Sequence, residues 1–197
     1  MITVGITGGI GSGKTYVSKL FLHIGIPVYY ADQQTKILYT TNKSLKNKLI
    51  STFGAQVYLP SGKINKTFLR EILFSNSAAR KKINQIVHPY IMEDFKNWCL
   101  YKKNVPYILK ESALLFETGL FKTLDKTILI IAPDKLKKER IKKRDNISEK
   151  IILQKMATQL HDSEKEKFAD FIIINDGKRL LLPQVLNIHE QLLKVNR

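Results

Sequence analysis

A disulfide is out of reach for this chain, which holds a single cysteine, Cys99, in 197 residues. A lone thiol suits a reducing compartment. Long apolar runs are also missing. The run from Ile128 to Ala132 falls far short of the ~20 residues that a membrane-spanning helix needs, so no membrane association is expected. Met1 to Thr7 has neither a basic start nor a small-residue cleavage site, so no secretory leader is expected. Acidic residues are scarce, 17 Asp and Glu against 33 Lys and Arg, which leaves a formal charge of +16. Such a surplus can attract nucleic acid, draw in polyanionic small molecules such as nucleotides, or reflect lysine-rich solvated faces. The basic residues lack the interleaved aromatics of a base-stacking platform, which argues against nucleic acid.

Short β-branched runs alternate with helical stretches, the pattern of a parallel sheet with crossover helices. A strand is expected over Ile2–Ile6, followed by a helix from about Gly13. In that helix Val17, Leu20, Phe21 and Ile24 fall on one face, and Gly25 stops it. A second strand, Val28–Tyr30, leads to Asp32. From Gln33 to about Lys103 the text reads as helices, with a turn at Pro60-Ser61-Gly62 and a helix start at His88-Pro89. The sheet resumes at Tyr107–Leu109 and Thr127–Ile131. A basic helix, Lys135–Arg144, and an amphipathic one, Ser148–Gln159, follow. The last strand is Phe171–Ile174, and the terminal helix lines up Leu182, Val185, Leu186, His189 and Leu193.

Gly8-Gly9-Ile10-Gly11-Ser12-Gly13-Lys14-Thr15 fits the phosphate-binding pattern G-x-x-x-x-G-K-[ST], placed after a strand and opening a helix. Glycines let Gly11, Ser12 and Gly13 turn backbone N–H groups toward phosphate oxygens, and the helix start adds partial positive charge. Lys14 can reach the outer phosphates, the Thr15 hydroxyl can ligate Mg²⁺, and the Tyr16 N–H can serve the innermost phosphate. This motif means a nucleoside triphosphate, without separating kinase from GTPase or ATPase.

Asp32, beyond the second strand, is either a group that orients an acceptor hydroxyl or a helix N-cap, and spacing leaves both open. It would face the phosphate loop if the first two strands are neighbours. Glu111, ending the third strand, reads more readily as an ordinary strand-end carboxylate than as a metal-supporting acid. Glu117 reads equally as a structural hydrogen-bonding group. Arg140 and Arg144, four apart, share a helix face: they either cover a triphosphate or belong to a solvated basic face.

Together these segments resemble the dephospho-CoA kinase family, essentially end to end. Ile6 to Lys14 matches its phosphate loop, and Val28 to Asp32 its D-A-D segment, with Tyr30 for the first aspartate. Ile86 to Pro89 matches its H-P step and Leu114 to Glu117 its P-L-L-F-E, with Ala113 in place of proline. Arg140 to Asp145 resembles its lid entry, Lys155 to Gln159 its R-x-x-x-Q with lysine for arginine, and Ala169 to Asn175 its A-D-x-V-I-x-N ending near the adenine. Of the departures, Tyr30 and Ala113 are expected to touch packing only.

The resemblance implies an α/β fold. A P-loop NTPase core with a parallel sheet flanked by helices spans 1–32, 104–139 and 166–197; an inserted helical lobe for the CoA acceptor spans 33–103, and a small helical lid 140–165. It implies ATP as co-substrate with Mg²⁺, and a cytoplasmic monomer acting on ATP and dephospho-CoA. It makes Asp32, Lys14 and Arg140 the catalytic candidates. Gly11 to Tyr16, Arg144 and Asn175 would bind ATP, Thr15 the metal, and Arg70 and His88 the acceptor. The rivals are a P-loop kinase for a nucleoside or nucleotide, and a nucleotide-gated nucleic-acid-binding protein.

Overall fold

The computed structural model describes residues 1–75 and 77–195, with the side chains of residues 70, 73–75 and 77 outside the description. Contacts divide it into two compact units: Met1–Tyr30 with Lys103–Arg197, and Ala31–Lys102.

The first unit is built on five parallel strands: β1 (Ile2–Gly8), β2 (Val28–Tyr30), β3 (Tyr107–Glu111), β4 (Lys126–Ile131) and β5 (Phe171–Ile174), in the order β2-β3-β1-β4-β5. β1 and β2 are therefore not neighbours. β3 lies between them and sets Glu111 opposite Ile6 on one side and opposite Tyr30 on the other. The carboxylate beside the phosphate loop is thus contributed by β3.

Helices α1 (Lys14–His23) and α9 (Leu181–Val195) pack on one face of the sheet. There Val4, Ile6, Val17, Phe21, Leu109, Ile128 and Val185 form the core, and each large aliphatic residue contributes roughly 1.5–3 kcal/mol by leaving water. The buried stripe of α9 is Val185, Ile188 and Leu192, rotated from the expected one; Leu182, Leu186 and Leu193 stay exposed. Apolar residues surround most of α9, so periodicity alone cannot choose its inner face. At the far end of α1, Gly25 takes φ 88°, and the Ile26 N–H returns to Phe21 O at 3.0 Å, closing the helix. On the opposite face of the sheet, Gly5 leaves room for Leu115 and Leu124 from the segment after β3.

Asp170, just before β5, ties the start of β4 to β5. It accepts from the Thr127 N–H and hydroxyl, both at 2.8 Å, and pairs with Lys126 at 2.9 Å. After β4 come α6 (Asp134–Asp145), α7 (Glu149–Ala157) and α8 (Asp162–Glu166).

The second unit holds α2 (Ala31–Thr41), α3 (Lys43–Phe53), α4 (Lys66–Ser75) and α5 (Ser77–Leu100), with α2, α3 and α4 each packed on α5. Asn42 caps α3 by accepting from the Leu45 N–H at 2.9 Å. The Pro60-Ser61-Gly62 turn closes a small bridge between Tyr58 and Ile64. Pro89 was expected to start a helix but sits inside α5. The proline costs one i→i−4 bond, while Ile83, Ile86, Val87, Ile91 and Phe95 bury one continuous stripe across it.

Candidate active site

The β1–α1 turn forms the floor of the site. Gly11 and Gly13 have φ of 80° and 96°, a region that side chains strongly disfavour. Space points the same way. A Cβ on Gly11 would lie 2.6 Å from Lys137 O, and one on Gly13 would collide with Asn175 Nδ2. The Ser12 N–H closes on Gly9 O and the Tyr16 N–H on Gly13 O, both at 3.0 Å. Service of the innermost phosphate by Tyr16 therefore requires that bond to be shared or exchanged. Lys14 is buried, 9% exposed, and its ammonium donates to Gly8 O at 2.8 Å and Gly9 O at 3.2 Å. The cation is folded onto the loop's own carbonyls, within reach of any phosphate seated there.

Thr15 opens α1, and its hydroxyl donates to Glu111 Oε1 at 3.4 Å. Glu111 is itself buried at 9%. A hydroxyl and a carboxylate at one spot are hard oxygen donors of the kind Mg²⁺ prefers, leaving the remaining positions to phosphate and water. The residues present therefore fit this ion. Tyr30, expected to touch packing only, borders the same carboxylate: burial first, and the Glu111 charge second, push its phenol pKa up.

Asn175 joins three parts of the core. Its N–H bonds Ile131 O at 2.8 Å, its Nδ2 donates to Ser12 O at 2.7 Å, and its Oδ1 accepts from Arg140 at 3.0 Å. Arg140 also approaches Gly11 O, Ser12 O and Asn175 O at 3.4 Å. Its guanidinium thus supports the loop from the carbonyl side. Arg144 points elsewhere and is 62% exposed. It grips Asp145 in a fork of 2.7 and 3.1 Å, and Lys155 joins the same carboxylate at 3.4 Å. The Arg144 hydrogen bonds, ahead of Lys155, hold the Asp145 pKa below the usual carboxylate range. Lys155 thus stands beside Arg144 through a shared acid.

The loop's flank is closed by a second set of charges. Lys137, 7% exposed at its side chain, bridges Asp134 at 2.7 Å and Asp162 at 2.8 Å. Burial works against its charge, but the two carboxylates outweigh it and raise its pKa. Glu117 accepts from the Leu160 N–H at 3.1 Å and lies 3.0 Å from Lys165 Nζ, a fully buried ammonium. That pair is not aligned as a hydrogen bond, so its attraction is mainly Coulombic.

The first unit therefore brings together Gly11, Ser12, Gly13, Lys14, Thr15, Tyr16, Arg140 and Asn175, with Arg144 on the outer end of α6. Asp32 and His88 belong to the second unit. Asp32 is exposed in the first turn of α2, inside the helix rather than at its cap, and His88 is half-buried on α5. Arg70 falls on α4, and its side chain lies outside the description.

A family model described as dephospho-CoA kinase matches residues 2–180. The chain belongs to the dephospho-CoA kinase family. A dephospho-CoA kinase of Bacteroides fragilis is 40% identical over 187 residues, covering 95% of this chain and 91% of that protein. The solved dephospho-CoA kinase from Campylobacter jejuni superposes with a TM-score of 0.69 at 27% identity, over 99% of this chain and 98% of that one. A Thermus thermophilus crystal structure reaches a TM-score of 0.82 at 26% identity, over 98% and 97%. Among the described residues, no helix is long and apolar enough to cross a membrane.

The Thr15–Glu111 contact follows from strand order, which no local pattern carries. The Lys137–Asp162 ion pair and the two Gln159 hydrogen bonds likewise join segments remote in sequence.

Proposed function

We propose that this chain transfers the γ-phosphoryl group of ATP to the ribose 3′-hydroxyl of dephospho-CoA, giving ADP and coenzyme A. The observation that carries the reading is the joined phosphate loop and Thr15–Glu111 pair in a chain matched over residues 2–180 by the dephospho-CoA kinase model.

In this reading Lys14 leaves the Gly8 and Gly9 carbonyls for the β- and γ-phosphates, exchanging two neutral acceptors for charged ones. Thr15 and Glu111 hold Mg²⁺, which when bound neutralises charge on the phosphate oxygens. Asn175 and Arg140 keep the loop's carbonyl edge fixed beside the adenine, and Arg140 stays a candidate for contact with the transferring group. For Arg144 to cover the triphosphate and exclude water, which would otherwise compete as acceptor, it would leave the Asp145 carboxylate that it shares with Lys155. Asp32 orients the 3′-hydroxyl, and His88 and Arg70 meet the acceptor. The core comprises 1–32, 104–139 and 166–197, the acceptor lobe 33–103 and the lid 140–165. The enzyme acts as a monomer in the cytoplasm on two soluble anions, and its +16 charge speeds their encounter rather than binding nucleic acid.

The test is ADP release against a panel of acceptors. Turnover is expected with dephospho-CoA. Equal turnover with nucleosides or nucleotides would replace this acceptor by theirs.

A further inference from the structure

Gln159 has no part in the chemistry above, yet its side chain reaches the phosphate loop across 149 residues of sequence. It lies in the connector between α7, which ends at Ala157, and α8, which begins at Asp162. Its amide bonds two remote segments with opposite polarity. Oε1 accepts from the Ile10 N–H at 2.7 Å, and Nε2 donates to Ala113 O at 3.0 Å. Ala113 follows Glu111 by two residues. Glu117 fixes the neighbouring Leu160 N–H, and Lys137 fixes Asp162.

The Ile10 N–H and the Gly9 carbonyl belong to one planar peptide unit, so in the trans form they point in opposite directions. Gly9 O is one of the two carbonyls that hold the Lys14 ammonium, at 3.2 Å. Gln159 and Lys14 therefore grip the two ends of the same peptide.

We infer that Gln159 is a positioning residue for phosphoryl transfer. It locks the orientation of the Gly9–Ile10 peptide, and through it the resting place of Lys14, while its other end ties that peptide to the segment that carries Glu111. A carboxamide of this length is suited to the task because it offers an acceptor and a donor at one tip. This inference rests on the kinase reading above.

The test uses two substitutions of similar size in the full chain. Gln159→Met offers neither strong bond. Gln159→Glu keeps the acceptor but, when ionised, has no proton for Ala113 O. When protonated it regains both bonds, so acid should rescue it. Asp134, Lys137, Lys138, His161 and Asp162 line the same cavity, and Glu117 lies just beyond it. All are common to parent and variants, so the variant-to-parent kcat ratio at each pH isolates residue 159.

With ATP and dephospho-CoA, kcat of Gln159→Met should fall about tenfold at every pH, the effect of losing one or two hydrogen bonds. Gln159→Glu should match that deficit near pH 8.5 and recover at least about threefold toward the parent near pH 4.5, where a glutamate carboxyl of ordinary pKa, about 4.3, is roughly two-fifths protonated. Exchange of the Ile10 amide proton, which needs no turnover, should quicken in Gln159→Met. Parent-like kcat in both variants, or a Gln159→Glu deficit that is the same at both pH values, would overturn the inference. An inactive parent would instead overturn the kinase reading, while the Ile10 exchange rate would still report on the bond.

Discussion

The Thr15 hydroxyl donates to the Glu111 carboxylate across 3.4 Å, joining the first turn of α1 to the last residue of β3. The link exists because β3 is inserted between β1 and β2, in register with Ile6 at the mouth of the phosphate loop. It puts a charge-bearing oxygen and a hydroxyl side by side, hard donors of the kind a divalent cation prefers.

Glu111→Gln should therefore weaken Mg²⁺ binding, raising the half-saturating Mg²⁺ concentration, while sparing the fold. The amide is of the same size but carries no charge, and changes around a metal commonly cost about 10–100-fold in metal affinity or activity. The check is a Mg²⁺ titration of turnover at saturating ATP. An unchanged half-saturating concentration would remove Glu111 from the metal site.

Asp32→Asn should lower kcat by about 10²–10⁴-fold with little change in ATP affinity, the range of a general base. Because Asp32 lies in the first turn of α2, losing its charge there should also cost about 0.3–1 kcal/mol against the helix dipole. Kinetics, ATP binding and thermal melting on the one variant separate the effects. A small stability loss with near-normal kcat would make Asp32 a helix-end charge only.

The Asp170 contacts predict an acid-sensitive sheet edge. Burial alone would push the Asp170 carboxyl up, but Lys126 and the Thr127 bonds outweigh it and hold its pKa below the usual value. A lowered folded-state pKa means stability present above the unfolded value, near about 4, and lost as pH falls through the folded one. Both partners of the Lys126 pair are about one-third exposed, so solvent screens it and the Thr127 bonds carry most of the effect. Asp170→Asn should cost about 1–3 kcal/mol near neutral pH, and the gap should narrow below about pH 3.5. Urea midpoints at the two pH values decide it; an equal gap at both would mean that the charge contributes nothing.

Local features were legible in the sequence, and long-range ones were not. The phosphate loop and β5 could be read because their signals are contiguous. The inner face of α9 could not, since Leu182, Leu186 and Leu193 suit burial as well as Ile188 and Leu192. The choice is made by the sheet, where the Tyr107 hydroxyl meets His189 Nδ1 at 2.8 Å. Pro89 misled because tertiary burial along α5 outweighs one missing backbone bond. The contacts of Glu111 and Gln159 were illegible for a shared reason. Their partners are remote: Thr15 is 96 residues from Glu111, and Ile10 is 149 from Gln159. Only the assembled sheet and the α7–α8 connector bring them together.

The most direct measurement is phosphorus NMR of the products formed from ATP and dephospho-CoA, with Lys14→Ala as control. A new phosphomonoester on the ribose 3′-oxygen should appear in step with ADP. In the control, loss of a preorganised charge should slow its formation by at least about 10²-fold. ADP formed without that phosphomonoester, or an undiminished rate in Lys14→Ala, would contradict the kinase reading.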